Sequence, residues 1–404
     1  MHHAGLQDEE ETSASTLCNM VAPWMNPYLR MTGIAITAAI ITTGCSRGPS
    51  PAEIARDQPF GPCGSSYPEL IAKAREEGRL TLMGTPRATA GTARVIEGFT
   101  NEYGIRVSTV FEDASSADEL TILRTWKGDA RYPDVVDLTP AALEEATGQG
   151  LLADYQVQAY DAISDRFKRP TGLQVANYSG LMSFGVNRSK VSNVPQTWAD
   201  LEKPEYRGAI ALNGDPRESG AGLQAIAAAA LANGGSYDNV KPGIEFFARL
   251  RKSGNLRVSE VNSADILYGD SPIAIDWNYS FPPLARALAK DGIEFVTVVP
   301  SDGIARGVYF QGLVTDAPHP CAARLWLDYL VSDDVAVTRM RAGAIPARYS
   351  ATTSRLSSTE RALLPSNSDI NASLAPTPEQ FRRMSALVNE LWVPLVVNAK
   401  VGSP

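Results

Sequence analysis

The residues of this chain that could do chemistry gather at two places. The first is Ser219-Gly220-Ala221-Gly222, standing between the apolar run Ile210-Ala211-Leu212 and the alanine-rich run Leu223 to Ala232. Alanine is the strongest helix former, so that run is expected to be helical with Ser219 as its N-cap. Gly220 and Gly222 let the backbone come close to whatever sits above the first turn. A strand, a small-residue turn and a helix N-terminus present backbone N–H groups and a positive dipole end, which suit a phosphonate, phosphate or carboxylate. The second place is Asp276-Trp277-Asn278-Tyr279-Ser280, closing the apolar run that starts at Ile273. An acid beside aromatic faces suits an ammonium group. An anion site opposite a cation site implies a small zwitterion, such as an aminoalkylphosphonate or a similar amino acid. Trp277 and Tyr279 also read as core aromatics at a junction of lobes, and Glu260 and Asp265 read as solvated helix residues.

These groups need elements to hold them. A helix is expected over Tyr67 to Glu77, a buried strand over Leu80 to Met83, a helix over Thr92 to Tyr103 and a strand over Ile105 to Phe111. Ser115 and Ser116 cap a further helix running to Lys127, Val135 to Leu138 is a strand, and a helix over Ala141 to Thr147 follows. Strands alternating with helices predict a parallel, doubly wound sheet, in which ligands lie beyond the carboxyl ends of the strands. Thr85, Asp113 to Ser116 and Thr139 then share one rim. A second lobe is expected from Leu181, with a short helix at Thr197 to Leu201 and strands at Ile273 to Trp277, Phe295 to Val299 and Val308 to Thr315. Helices at Lys241 to Arg251, Val261 to Tyr268, Cys321 to Val331, Asp333 to Ala342 and Pro378 to Trp392 complete it. The fold class is α/β: two doubly wound lobes, 67–180 plus 278–312 and 181–277 plus 313–404, with a ligand cleft between them. Tyr178 stands close to the crossing between the lobes.

Composition sets limits. A chain of 404 residues exceeds one ordinary core, and a net charge of −8 argues against nucleic acid as the partner. Of three histidines, His2 and His3 stand in the leader, leaving His319. There is no Walker loop, no Cys-x-x-Cys and no nucleophile-plus-base signature, so neither an enzyme nor a cofactor nor a resident metal is expected.

Residues 1–45 read as a leader. Arg30 precedes the apolar run Ile34 to Ile41, which ends at Thr42-Thr43-Gly44-Cys45. A basic residue, a short apolar stretch and a small residue make a secretory signal rather than a membrane-spanning helix. A cysteine directly after Gly44 is similar to a bacterial lipoprotein signal, with Cys45 lipidated. Residues 46–66, rich in Pro, Gly and Ser, read as a tether. Cys63 and Cys321 are the only cysteines that follow Cys45 in the chain, the fourth, Cys18, standing in the leader, and an oxidising compartment favours pairing them.

The segment Asn187-Arg188, then Val194-Pro195-Gln196-Thr197-Trp198-Ala199-Asp200-Leu201 and Pro204-Glu205-Tyr206-Arg207-Gly208, resembles the solute-binding proteins of bacterial ABC importers. Asp215-Pro216-Arg217 before Ser219-Gly220 is similar to the ferric-iron and phosphonate branch, where this turn holds an anion. Trp277-Asn278 and Pro300-Ser301-Asp302-Gly303 are similar to the polyamine branch. Ala317-Pro318-His319-Pro320 and Gly343-Ala344-Ile345-Pro346 resemble the carboxyl-terminal pattern of both. The resemblance covers about Leu70 to Arg348 and lacks the adjacent tyrosine pair of the ferric branch. It implies a monomeric extracytoplasmic protein, held to the membrane by a lipid, that closes on a small-molecule solute and hands it to a permease. A polyamine or ferric iron is the alternative cargo, and a sensor or an enzyme on the same scaffold the alternative class.

Overall fold

The computed structural model describes residues 60–169, 174, 176–257 and 263–402. The leader with Cys45, the tether up to residue 59, and Glu260 lie outside the described residues.

The first half follows the alternation of strand and helix. Helix α1 (Tyr67–Glu77), strand β1 (Arg79–Met83), helix α2 (Thr92–Tyr103), strand β2 (Arg106–Val110), helix α3 (Ser116–Thr125), strand β3 (Val135–Leu138) and helix α4 (Pro140–Gly148) succeed one another. Their ends have local causes. Gly78 and Gly104 close α1 and α2 in the left-handed conformation, which glycine adopts without a Cβ penalty. Ser115 and Asp118 form a reciprocal capping box on α3.

Strand β4 (Ala176–Asn187) begins earlier than Leu181 and is buried along its whole length. It pairs with strand β8 (Arg306–Leu313) through residues 176–181 and with strand β6 (Ile273–Trp277) through residues 182–186. The sheet runs β2-β1-β3-β8-β4-β6-β5, with β5 at Ile210–Leu212. Strand β7 (Phe295–Val298) and the two-residue β9 (Ile345–Pro346) also pair with β4. The β1–β2, β1–β3 and β5–β6 pairs are parallel, while every pairing of β4 and β8 is antiparallel. The sheet is thus mixed, because β4 and β8 are long strands that carry the chain from one half to the other.

Helix α5 (Gly220–Ala232) starts where the sequence places it. Ser219 Oγ accepts from the Gly222 N–H at 3.1 Å and donates to the Asn213 carbonyl at 2.8 Å. Its residues from Ala221 to Ala230 are buried, as an apolar run on all faces requires. Helices α6 (Lys241–Ser253) and α7 (Ser263–Tyr268) follow. Helix α8 (Phe281–Ala289), unforeseen in the sequence, is started by prolines in its first turn, where a missing N–H costs nothing. Helices α9 (Pro320–Leu330) and α10 (Asp333–Arg341) follow, and after short helical pieces at Tyr349–Thr352, Ser358–Arg361 and Asn367–Ala372 comes α11 (Pro378–Trp392), which runs on into a π-helical turn over Val393–Val397. The Thr197 stretch is a 3-10 turn over Ala199–Glu202.

Among the described residues two large hydrophobic cores result, with two small clusters beside them. One gathers Leu80, Leu82, Phe99, Val135, Leu138 and Trp326; the other gathers Phe184, Trp198, Ile226, Phe247, Trp277 and Trp392. Phe60 and Cys63, at the end of the stretch read as a tether, are buried in the first. Cys63 is bonded to Cys321, with Cα atoms 5.5 Å apart. The Glu77 carboxylate accepts the Cys321 and Ala322 N–H groups and so caps α9 beside this bridge.

Candidate functional site

Where β4 passes β8, the register sets Tyr178 opposite Tyr309 and Gly180 opposite Gly307. Side chains two apart share a face of a strand, so both pairs look the same way. The glycines lack side chains for a reason visible above them. A Cβ on Gly307 falls 2.0 Å from the Trp277 indole, and one on Gly180 falls 2.4 Å from the Tyr279 ring. The two rings therefore lie down on the glycine pair, with centroids 6.2 Å apart and planes inclined by 18°. Tyr178 stands edge-on to Tyr279 at 5.2 Å and Tyr309 edge-on to Trp277 at 6.5 Å. The turn holding these rings is pinned by Asn278, whose Oδ1 accepts from the Leu181 N–H at 2.9 Å and whose Nδ2 donates to the Gly343 carbonyl at 2.6 Å.

Charged groups surround this aromatic floor. Asp276 is buried; its carboxylate accepts from the Trp277 N–H at 2.6 Å and is also bonded by Asn213 and Ser280. Burial raises its pKa, and those bonds oppose the rise. Arg339, on α10, is fully buried, and its guanidinium carbon lies 4.5 Å over the Tyr178 ring. Its Nη1 donates to the Ala90 carbonyl at 2.8 Å and to Thr92 Oγ1 at 2.7 Å. Its Nε and Nη2 have no hydrogen-bond partner among the described residues. The same holds for Oδ1 of Asp137, a buried residue at the carboxyl end of β3. Burial pushes the Asp137 carboxyl up to about 7, with Arg339 pulling against it. Burial likewise raises the phenols of Tyr178, Tyr279 and Tyr309 and lowers Arg339. Below Asp137 the Glu119 carboxyl, also buried, accepts the Asp137 N–H at 3.0 Å and is held well above the ordinary carboxylate range, chiefly by burial.

The first turn of α5 faces the same space. A Cβ on Gly220 falls 2.7 Å from Tyr309 Oη and 3.6 Å from Thr139 Cγ2. A narrow cleft lies there, lined by Thr139, Gly220, Gln224, Trp277, Tyr309 and Phe381 among others. Gln224 is one turn along from Gly220, and its buried Oε1 has no partner among the described residues. Ala221 is buried beside Gly220. The Gly222 N–H is taken by Ser219, and a Cβ there falls 2.8 Å from Pro216 Cα, so this glycine lets α5 close on its own entry turn.

Of the residues named from the sequence, Tyr178, Gly220, Asp276, Trp277 and Tyr279 stand together. Ser116 reaches the site through Thr139, whose N–H donates to Ser116 Oγ at 3.0 Å. Thr85 donates to the Met83 carbonyl and accepts from Gln311, the cross-strand partner of Asp137. Ser115 is occupied in capping α3. Four residues of the site were not foreseen: Asp137, Gln224, Tyr309 and Arg339. An acid closing an apolar strand at its carboxyl end is the signal that points to Asp137. Arg339 gives none, since a basic residue in the last turn of a helix is ordinary.

A family model described as bacterial extracellular solute-binding protein matches residues 130–372, more than half of the chain. In structure the chain is similar to the periplasmic binding protein AfuA from Actinobacillus pleuropneumoniae, solved with exogenous fructose-6-phosphate bound. The identity is 20%, the TM-score 0.63, and the match covers 80% of this chain and 99% of that one. It is also similar to iron-bound HitA from Pseudomonas aeruginosa, at 16% identity and a TM-score of 0.60, covering 78% and 99% of the two chains. The spermidine/putrescine-binding PotD from Streptococcus pneumoniae, in complex with calcium and HEPES, follows at 14%, a TM-score of 0.59, and 78% and 98%. No curated protein matches the chain in sequence. At these identities the structural likeness speaks for the fold, that of a type II periplasmic binding protein with two α/β lobes. The family match goes further than the fold: the chain belongs to the bacterial extracellular solute-binding proteins.

Proposed function

We propose that this protein captures a small zwitterion, an aminoalkylphosphonate or an amino acid of similar size, by closing its lobes and delivers it to a permease. One observation carries the reading. Groups of opposite charge, Arg339 through Nε and Nη2 and Asp137 through Oδ1, lie buried in one site without hydrogen-bond partners among the described residues. Leaving such groups unpaired costs about 1–3 kcal/mol or more each, which a solute offering an anion to one and a cation to the other recovers. Trp277, Tyr279 and Asp276 add aromatic faces and a second acid on the cationic side. The first turn of α5, at Gly220 and Ala221, adds backbone donors on the anionic side, while Ser219 is spent on the turn itself, its N–H donating to the Asp215 carbonyl at 2.7 Å. A polyamine has nothing to place on Arg339.

Ferric iron is the second reading, because Tyr178, Tyr279 and Tyr309 converge with two carboxylates. Burial raises all three phenols, which opposes the tyrosinate form that hard ferric iron requires. We further propose that Cys45 carries a lipid that holds a monomer at the outer face of the cytoplasmic membrane; among the described residues no helix is long and apolar enough to cross a membrane.

A thermal-shift panel of 2-aminoethylphosphonate, 3-aminopropanoate, putrescine, spermidine, thiamine and ferric citrate tests the cargo. Stabilisation by a zwitterion is the expected result. Stabilisation by spermidine alone, or by ferric citrate with a visible tyrosinate band, overturns it.

A further inference from the structure

The guanidinium of Arg339 has two kinds of edge, and the described residues bond only one of them. Nη1 is spent on the Ala90 carbonyl and Thr92 Oγ1. Nε and Nη2, the two donors that lie parallel along the side of the group, are the atoms without partners among the described residues. Those two N–H groups point the same way and match a pair of oxygens on one planar or tetrahedral centre. The setting fixes them there. Arg339 is fully buried and stacked on Tyr178, and Tyr178 sits in the strand that carries the aromatic floor. Ala90, which supplies the carbonyl, holds a left-handed φ of 49°, a conformation that costs a non-glycine residue energy and marks a position determined by its surroundings. Thr92 is buried at the start of α2, so both anchors come from the loop and helix that follow β1.

We infer that Arg339 is a bidentate anion fork: its Nε–Nη2 edge receives both oxygens of the solute's anionic end, while Ala90 and Thr92 act as positioning residues that hold the other end of the guanidinium. This rests on the zwitterion reading and sharpens it. The primary anion contact is moved from the α5 N-terminus to α10, and the anion is required to offer two oxygens side by side. A carboxylate and a phosphonate share that chemistry. The ammonium end then lies toward Asp137, whose Oδ1 has no hydrogen-bond partner among the described residues and whose charge favours that of the guanidinium. A lysine at 339 keeps the charge but not the fork.

Titration calorimetry on the full chain tests this with 2-aminoethylphosphonate, 3-aminopropanoate and putrescine as probes, against wild type, Arg339→Lys, Thr92→Val and Thr92→Ser. Arg339→Lys is expected to weaken the bound zwitterion about 30-fold or more, the loss typical of breaking a buried charged contact. Thr92→Val is expected to weaken it about 5- to 10-fold, and Thr92→Ser, which keeps the hydroxyl, to restore it. Which of the two zwitterions binds more tightly decides between phosphonate and carboxylate. A folded Arg339→Lys that holds the zwitterion as wild type does overturns the fork and leaves the zwitterion reading standing. If Arg339→Lys does not fold, a Thr92→Val protein with wild-type affinity does the same. Binding of putrescine alone, or of none of the three, overturns both.

Discussion

Gly180 and Gly307 face each other across the β4–β8 ladder, and each is roofed by an aromatic ring that a single methyl group would displace. Glycine inside a strand ordinarily weakens it and marks a close approach. Here the approach is made by Tyr279 and Trp277, so the pair sets the height of the aromatic floor. Gly307→Ala should therefore cost about 1–3 kcal/mol of stability through overpacking. It should also shift tryptophan emission and weaken solute binding. Urea denaturation with emission spectra checks this, and an alanine variant with unchanged emission and affinity would show that the rings do not depend on the pair.

The buried acids predict a pH dependence of stability. Unfolded, Asp137 titrates near the ordinary carboxylate value, whereas burial in the folded protein brings it to about 7. Asp328, held at about 6 by burial, behaves alike. Between about pH 5 and 7 the native state keeps protons that the unfolded state has lost, so stability falls as pH rises and levels off above that window. Asp137→Asn should flatten part of this slope in urea titrations. A slope identical to wild type would contradict the burial of that carboxyl.

The Cys63–Cys321 bridge spans 258 residues of sequence. Closing so long a loop stabilises by about 3–5 kcal/mol in the chain-entropy account. Cys63→Ser should lower stability by that order, and reduction of the wild type should do the same. Two free thiols counted in denatured, unreduced protein, over and above any from the leader, would refute the bridge.

Anchoring rests on Cys45. Cys45→Ser should move the protein from the membrane fraction to the soluble one in cell fractionation. A wild type that carries no acyl group contradicts the lipoprotein assignment.

Much of this architecture is legible in the residues. Ser219 declares the start of α5 because a hydroxyl before an alanine run has one good use, and Thr92 to Tyr103 and Val135 to Leu138 fall where periodicity sets them. The aromatic pair of the floor is legible too, since Trp277 and Tyr279 end an apolar strand. What escapes is whatever depends on long-range pairing. Gly180 and Gly307 acquire meaning only through a register that joins residues 127 positions apart, and β8 reads as one more strand rather than as the antiparallel seam between β3 and β4. Arg339 is concealed by its helix: beside Asp333, Asp334 and Arg341 it looks solvated, yet the fold buries it on Tyr178. Asp137 is concealed by its neighbours, which mark the strand but not the site.

Titration calorimetry of wild-type protein with 2-aminoethylphosphonate and with its two halves, ethylamine and methylphosphonate, asks whether one site reads both charges of a single solute. The zwitterion should bind while each half alone binds at least about 30-fold more weakly, because each leaves one buried charged group without its partner. A half that binds as tightly as the whole would contradict it.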